Sequence, residues 1–168
     1  MKLIDCFMYL DEDILLDLRL NLLNEKVNQF IICESVFNHK GLKKKLNFDV
    51  NNFKKFKSKI NYIVLDKESP NLIKINNDDT ESSKNSKILH NSINRDIFQR
   101  NFLSNEISRH HDEDMIFISD LDEIPNLNSS FSNNKINLFC QNMFYYKFNL
   151  LYPDFTWYGT RCCKKKLL

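Results

Sequence analysis

Short apolar runs alternate with stretches of helical periodicity from the first residue, and that rhythm leaves few folds open. Leu3 to Tyr9 is apolar but for polar breaks such as Asp5; Phe30-Ile31-Ile32-Cys33 and Tyr62 to Leu65 follow; Met115-Ile116-Phe117-Ile118 is the clearest run. Such runs suit short strands covered on both faces. Asp11 to Asp13 open a helix, where acids complement the N-terminal dipole. Leu16, Leu20, Leu23 and Val27 then recur at intervals of four, three and four. Leu15, Leu18 and Leu22 widen that stripe, so this helix is expected to be largely covered. Repeated β-α-β units predict an α/β fold with a mainly parallel sheet flanked by helices. Ligands of such sheets bind beyond the carboxyl ends of the strands.

Asn51 to Ile60 reads as a short helix. Residues 67–86 are polar and contain Pro70; they are expected to form a mobile loop inside one domain spanning 1–168, because the same rhythm resumes after them. The next helix is expected from about Lys84 to Arg109, with Leu89, Ile93, Ile97, Phe98, Phe102, Leu103 and Ile107 on its apolar side. Ile136 to Phe148 reads as one or two further strands with an aromatic block, Phe144-Tyr145-Tyr146.

Apolar content of 42% and charged content of 27% are those of an ordinary globular chain. A formal net charge of +2 gives no reason to expect nucleic acid or a membrane surface as a partner through bulk charge. Gly41 and Gly159 are the only glycines, which excludes a glycine-rich phosphate loop. Any phosphate must then be held by a metal, by basic side chains or by helix N-termini. Five cysteines form an odd set without metal-ligand spacing. Cys6, Cys33 and Cys140 sit in apolar runs as buried thiols, while the adjacent Cys162 and Cys163 point to opposite faces of a strand. A reducing compartment follows. The N-terminus is too soon interrupted by acids to be a signal peptide, and no apolar run approaches the ~20 residues that span a bilayer. A cytoplasmic protein without a transmembrane segment is expected, with peripheral membrane contact left open.

Ile116 to Pro125 reads IFISDLDEIP. An apolar strand delivers two aspartates at i and i+2 and then a glutamate. In extended backbone Asp120 and Asp122 project to the same side, where two carboxylates can hold a hard divalent cation directly or through its waters. Magnesium and manganese take oxygen ligands and share them with substrate phosphates. The competing reading has these acids solvate a strand end and open a turn before Pro125, which cannot continue a ladder. The preceding apolar residues favour the first reading, since they place the pair at the ligand-binding edge of the sheet.

The chain resembles glycosyltransferase family 17, the family of the β-1,4-mannosyl-glycoprotein β-1,4-N-acetylglucosaminyltransferase that adds bisecting GlcNAc. The similar stretches run in order over nearly the whole chain. They are Ile4 to Phe7 with Asp11 to Leu23, then Phe30 to Ser35 with His39 and Gly41. Arg95 with Gln99-Arg100-Asn101, Ile118 to Pro125, and Phe144-Tyr145-Tyr146 leading to Trp157, Gly159 and Thr160 complete them. The resemblance implies a GT-A-type nucleotide-sugar-binding fold, Mn2+ or Mg2+ as cofactor, and inverting transfer from a UDP-sugar, UDP-GlcNAc first, to a glycan acceptor. It implies that Asp122 is the metal ligand at the donor diphosphate and that Asp120 contacts the ribose, or the metal through water. Glu123 either joins that cluster or forms a salt bridge outward. Arg95 and Arg100 would recognise donor phosphate or sugar, since guanidinium matches phosphate geometry. The alternative for Arg100 is an ion pair with Asp96, one helical turn away. Asp5 and Glu34 would hydrogen-bond the uridine or ribose, against strand-end solvation or helix capping. No residue marks the general base that inverting transfer needs. Family members continue well beyond the position of Leu168, so the C-terminal acceptor portion is expected to be missing.

Two other classes compete. A non-catalytic nucleotide-sugar or glycan-binding module would keep Asp120 and Asp122 without an acceptor half. A HAD-type phosphatase also puts D-x-D after a buried strand, but after the first strand and trailed by Thr or Val. Tyr145, Tyr146 and Trp157 either stack on a sugar face or fill the core, the commoner place for such residues. His39 reads as surface, His110-His111 as a helix end, and Lys43 to Lys45 and Lys164 to Lys166 as solvated charge runs.

Overall fold

The four apolar runs become β1 (Leu3–Tyr9), β2 (Gln29–Ser35), β3 (Ile60–Leu65) and β4 (Met115–Ser119), parallel to one another, in a computed structural model that describes residues 1–146 and 149–168. β5 (Asn137–Phe144) and β6 (Leu151–Lys164) complete a six-stranded sheet in the order β3-β2-β1-β4-β6-β5, with β6 antiparallel to both β4 and β5. The expected α/β architecture, a mainly parallel sheet flanked by helices, is the observed one.

Period-two alternation divides the core between the two faces of the sheet. Phe7, Phe30 and Ile32 meet Leu16, Leu20 and Leu23 of α1 (Asp13–Leu23) on one face. Ile4, Cys6, Ile31 and Ile116 meet Phe98, Phe102, Leu103 and Ile107 on the other, from α2 (Glu81–Phe102), α3 (Ser104–Ile107) and the residue between them. Each fully buried aliphatic side chain contributes about 1.5–3 kcal/mol, so these two layers fix where the strand ends lie.

Several expectations are corrected. α1 is not largely covered: Leu18 and Leu22 are exposed, and the fourth residue of its buried face is Arg19. The stripe Leu89, Ile93 and Ile97 is real, yet it faces solvent, because α2 docks through Asn91, Phe98 and Phe102 instead. The long helix breaks at Leu103, whose amide turns back to the Arg100 carbonyl. Residues 81–86 belong to α2, capped by the Thr80 side chain on the Ser83 amide. The remaining loop is tied to that helix: Asn91 pairs with both backbone groups of Ile73, Asn94 reaches the Asn71 carbonyl, and Lys87 holds Asp79.

β6 carries no apolar run and contains Pro153 and Gly159, so sequence patterning does not announce it. The strand expected to reach Phe148 ends at Phe144, and Phe148 lies outside the described residues. Cys140 is exposed, not buried, because β5 is the edge strand. Tyr145, Tyr146 and Trp157 are also exposed, not core. Lys164, Lys165 and Lys166 are not a free charge run: they pair with Glu113 and Asp112, and hydrogen bonds from Lys164 and Lys166 hold the Glu113 carboxyl down at about 2. Among the described residues no helix is long and apolar enough to cross a membrane.

Candidate functional site

The carboxyl ends of β1 to β4 open into one cleft of about 310 Å³, bounded by Tyr9 and Glu12 after β1, Ser35 and His39 after β2, Glu68 after β3, and Asp120 and Asp122 after β4. α2 closes it with Arg95 and Gln99. This is where sheet topology leads a ligand to be expected.

The Asp120–Glu123 segment is a turn and not an extension of β4. Glu123 donates its amide to the Asp120 carbonyl and Ile124 to the Asp122 carbonyl. Asp120 and Asp122 nonetheless both line the cleft, while Leu121 between them is buried. The turn is held from beneath by Arg19, a residue that sequence reading missed. Its guanidinium donates to the carbonyls of Asp120, Leu121 and Glu123 at 3.1, 3.0 and 3.1 Å and to the Ser119 hydroxyl at 2.6 Å. Its remaining donors meet both carboxylate oxygens of Asp5 at 2.8 and 2.7 Å. Arg19 is 0% exposed and Asp5 1%. The signal was present in the sequence: an acid inside a buried strand requires a cation within reach.

Asp5 therefore does not reach a donor, because both its oxygens are occupied by Arg19 below the cleft. Glu34 is corrected in the same way. It is 0% exposed and accepts from the Lys44 ammonium, the amides of Asn47 and Phe48, and the Tyr62 hydroxyl. It ties the loop after β2 to β3. Lys44 is accordingly drawn inward, out of the charge run to which it belongs.

Among the described residues Glu123 makes no salt bridge, and both of its oxygens are occupied. One of its oxygens accepts from the Asp120 amide at 2.9 Å and the other from the Trp157 indole at 2.7 Å. Gly159 allows this packing: a Cβ there would lie 2.7 Å from the Glu123 carboxyl carbon.

Arg95 lines the cleft, but its guanidinium is paired with Glu68 at 3.0 and 3.2 Å and reaches the His39 carbonyl at 3.3 Å. Gly41, at φ +81°, passes so close that a Cβ would lie 2.6 Å from the Arg95 guanidinium carbon. Arg95 thus braces the loop that carries His39 into the cleft. Arg100 makes the expected ion pair with Asp96 at 3.4 Å and a second one with Asp120 at 2.8 Å. One Asp120 oxygen is occupied by that contact, and its other oxygen carries no hydrogen bond among the described residues.

Asp122 differs from all of these. Partial desolvation, then the neighbouring Asp120 and Glu12 carboxylates, push its carboxyl above the usual range, against a hydrogen bond from its own backbone amide. A carboxylate in that position gains from a cation, so the donor set fits a divalent metal. Among the described residues no three His, Cys, Asp or Glu side chains converge on one point, and further ligands would have to be phosphate oxygens or water, as magnesium and manganese commonly accept.

A mainly parallel α/β sheet with an acidic turn at the carboxyl edge defines a domain that takes its ligand at the strand ends. The sequence model of glycosyltransferase family 17 matches residues 1–152, and the chain belongs to that family. It is a glycosyltransferase, with a sugar donor and an acceptor as its partners, and the phosphatase alternative falls away. No curated protein and no solved structure matches the chain.

Proposed function

We propose that this glycosyltransferase is metal-dependent and inverting, and transfers N-acetylglucosamine from UDP-GlcNAc to a glycan acceptor through a GT-A-type donor site in the cleft above β1 to β4. The observation that carries the reading is the Asp122 carboxylate, exposed in the cleft, raised in pKa and lacking, among the described residues, any hydrogen-bond partner beyond its own amide. Asp122 and the free oxygen of Asp120 would hold Mn2+ or Mg2+. When bound, the ion supplies Lewis-acid stabilisation of the charge that gathers on a departing diphosphate. Arg19 keeps the carbonyls of the turn directed inward, so that the two aspartate side chains face the cleft. Arg100 fixes the orientation of Asp120 through their contact at 2.8 Å. Arg95 and Glu68 position the loop that carries His39 into the cleft.

Calorimetry with UDP-GlcNAc, with and without manganese, tests this on the wild type and on Asp122→Ala. Metal-dependent binding that the substitution abolishes is expected. Binding that is indifferent to manganese, or that survives in Asp122→Ala, would overturn the donor site. Transfer of a radiolabelled sugar to a glycan then checks the reaction.

A further inference from the structure

Asp120 belongs to two hollows. Its far side lines a second one of about 480 Å³ on the flank of β6, together with Arg100, Phe155, Trp157 and Arg161. Three aromatic rings stand in a row along that strand. Tyr152 and Phe155 have ring centroids 6.0 Å apart with planes 25° from parallel, and Phe155 and Trp157 are 6.1 Å apart at 24°. All three are exposed. The rings of each pair are stacked with near-parallel planes, so the row exposes an apolar surface of ring edges and outer ring faces, and apolar surface left in water next to a site marks something that covers it.

The polar surroundings indicate what that is. Trp157 is fixed by its indole bond to Glu123, so the platform is registered to the acidic turn. The Arg161 side chain lines the same hollow and has no hydrogen bond or ion pair among the described residues. An aliphatic or purely hydrophobic partner would leave that guanidinium buried without a partner, at high cost. A pyranose ring meets both demands: its C–H face lies flat on an aromatic ring, and its rim of hydroxyls accepts from a guanidinium.

We propose that the Tyr152–Phe155–Trp157 row is the acceptor platform, binding consecutive pyranose units of a glycan with the reacting end at Asp120. The proposal rests on the donor reading above, because the two hollows meet at the residue that would border the donor. It gives β6, which has no apolar run of its own, a role in substrate binding.

Trp157 is the only tryptophan of the chain, so its fluorescence reports on this surface alone. Tetrasaccharides of β-1,4-linked mannose, glucose and N-acetylglucosamine are titrated against the whole chain. At least one is expected to shift Trp157 emission saturably. Phe155→Ala and Arg161→Ala should each weaken that binding about tenfold or more, with melting temperatures near wild type because both side chains are exposed. Tyr152→Ala provides a third variant should either misfold. Emission unmoved by all three sugars, or binding indifferent to the substitutions, would overturn the platform. So would sedimentation showing a self-associated species that Phe155→Ala dissolves. Manganese-dependent UDP-GlcNAc binding, followed by calorimetry on the same variants, separates the two readings. Its retention alongside lost sugar binding places the defect on β6, whereas its absence in the wild type with sugar binding intact removes the donor reading and leaves the platform.

Discussion

The carboxylates beneath the cleft and those at its edge stand at comparable places in the sequence, at or near strand ends, and have opposite fates. Asp5 and Glu34 are saturated: every oxygen meets a cation, an amide or a hydroxyl, and neither residue sees solvent. Among the described residues Asp120 keeps one oxygen free of hydrogen bonds, and Asp122 has only its own amide. A charge buried in protein is tolerated only with full compensation, so the lower pair maintains architecture. The upper pair is under-compensated, and that leaves it free to take a cation.

The comparison breaks most readily at Arg19. Arg19→Met leaves Asp5 as an unpaired buried charge and releases three carbonyls of the Asp120–Glu123 turn. A loss of about 3–5 kcal/mol is expected, read from the midpoint of a urea unfolding curve, and manganese-dependent binding should fail in whatever fraction remains folded. Glu34→Ala comes next. It strands Lys44, Tyr62 and two amides, for a loss of about 3 kcal/mol, but leaves the acidic turn in place, so binding of UDP-GlcNAc should weaken less than stability does. If Glu34→Ala abolished donor binding in a fully folded protein, Glu34 would belong with the site residues after all.

What the sequence revealed follows the same division. β1, β2, β3 and β4 were legible because strands buried on both faces are continuous apolar runs, and the D-x-D turn was legible because it interrupts one. The strand-end position of Asp5 and Glu34 was correct too, yet their roles were not, since saturation depends on partners such as Arg19 and Tyr62 brought in by folding. The stripe of Leu89, Ile93 and Ile97 shows the same limit for packing: periodicity identifies a face, but only the docking of α2 through Phe98 and Phe102 determines which face is covered. β6 escaped notice because one of its faces is held by local contacts, Thr160 to the Glu123 carbonyl and Trp157 to its carboxylate, and not by aliphatic burial.

Gly159→Ala probes the seam between the two sets. The new Cβ would press on the Glu123 carboxyl group and the Gln141 side chain. Gln141 can swing away only by giving up the Thr160 amide, and Glu123 is held by the Asp120 amide and Trp157. Overpacking of this kind costs about 1–3 kcal/mol, and differential scanning calorimetry should record it. Trp157 emission should shift as well, because its indole loses its partner; an unchanged spectrum would mean that Glu123 is not fixed by these contacts.

Asp122→Asn should have the smallest effect on folding and the opposite sign. The folded protein raises the Asp122 carboxyl above its unfolded value, so the native state holds that proton more tightly than the unfolded chain does. Stability from this group is therefore greatest at low pH and falls as pH rises from the unfolded value through the raised native one, remaining lower above it. Removing the charge should leave stability unchanged in acid and raise it slightly at neutral pH. Manganese with UDP should stabilise the wild type at neutral pH, because a cation relieves the same repulsion, and should do little for Asp122→Asn. Thermal melts at acid and neutral pH, with and without manganese and UDP, measure all of this. A variant that is less stable at neutral pH, or that keeps the full shift on adding manganese and UDP, would place Asp122 with the saturated carboxylates below the cleft.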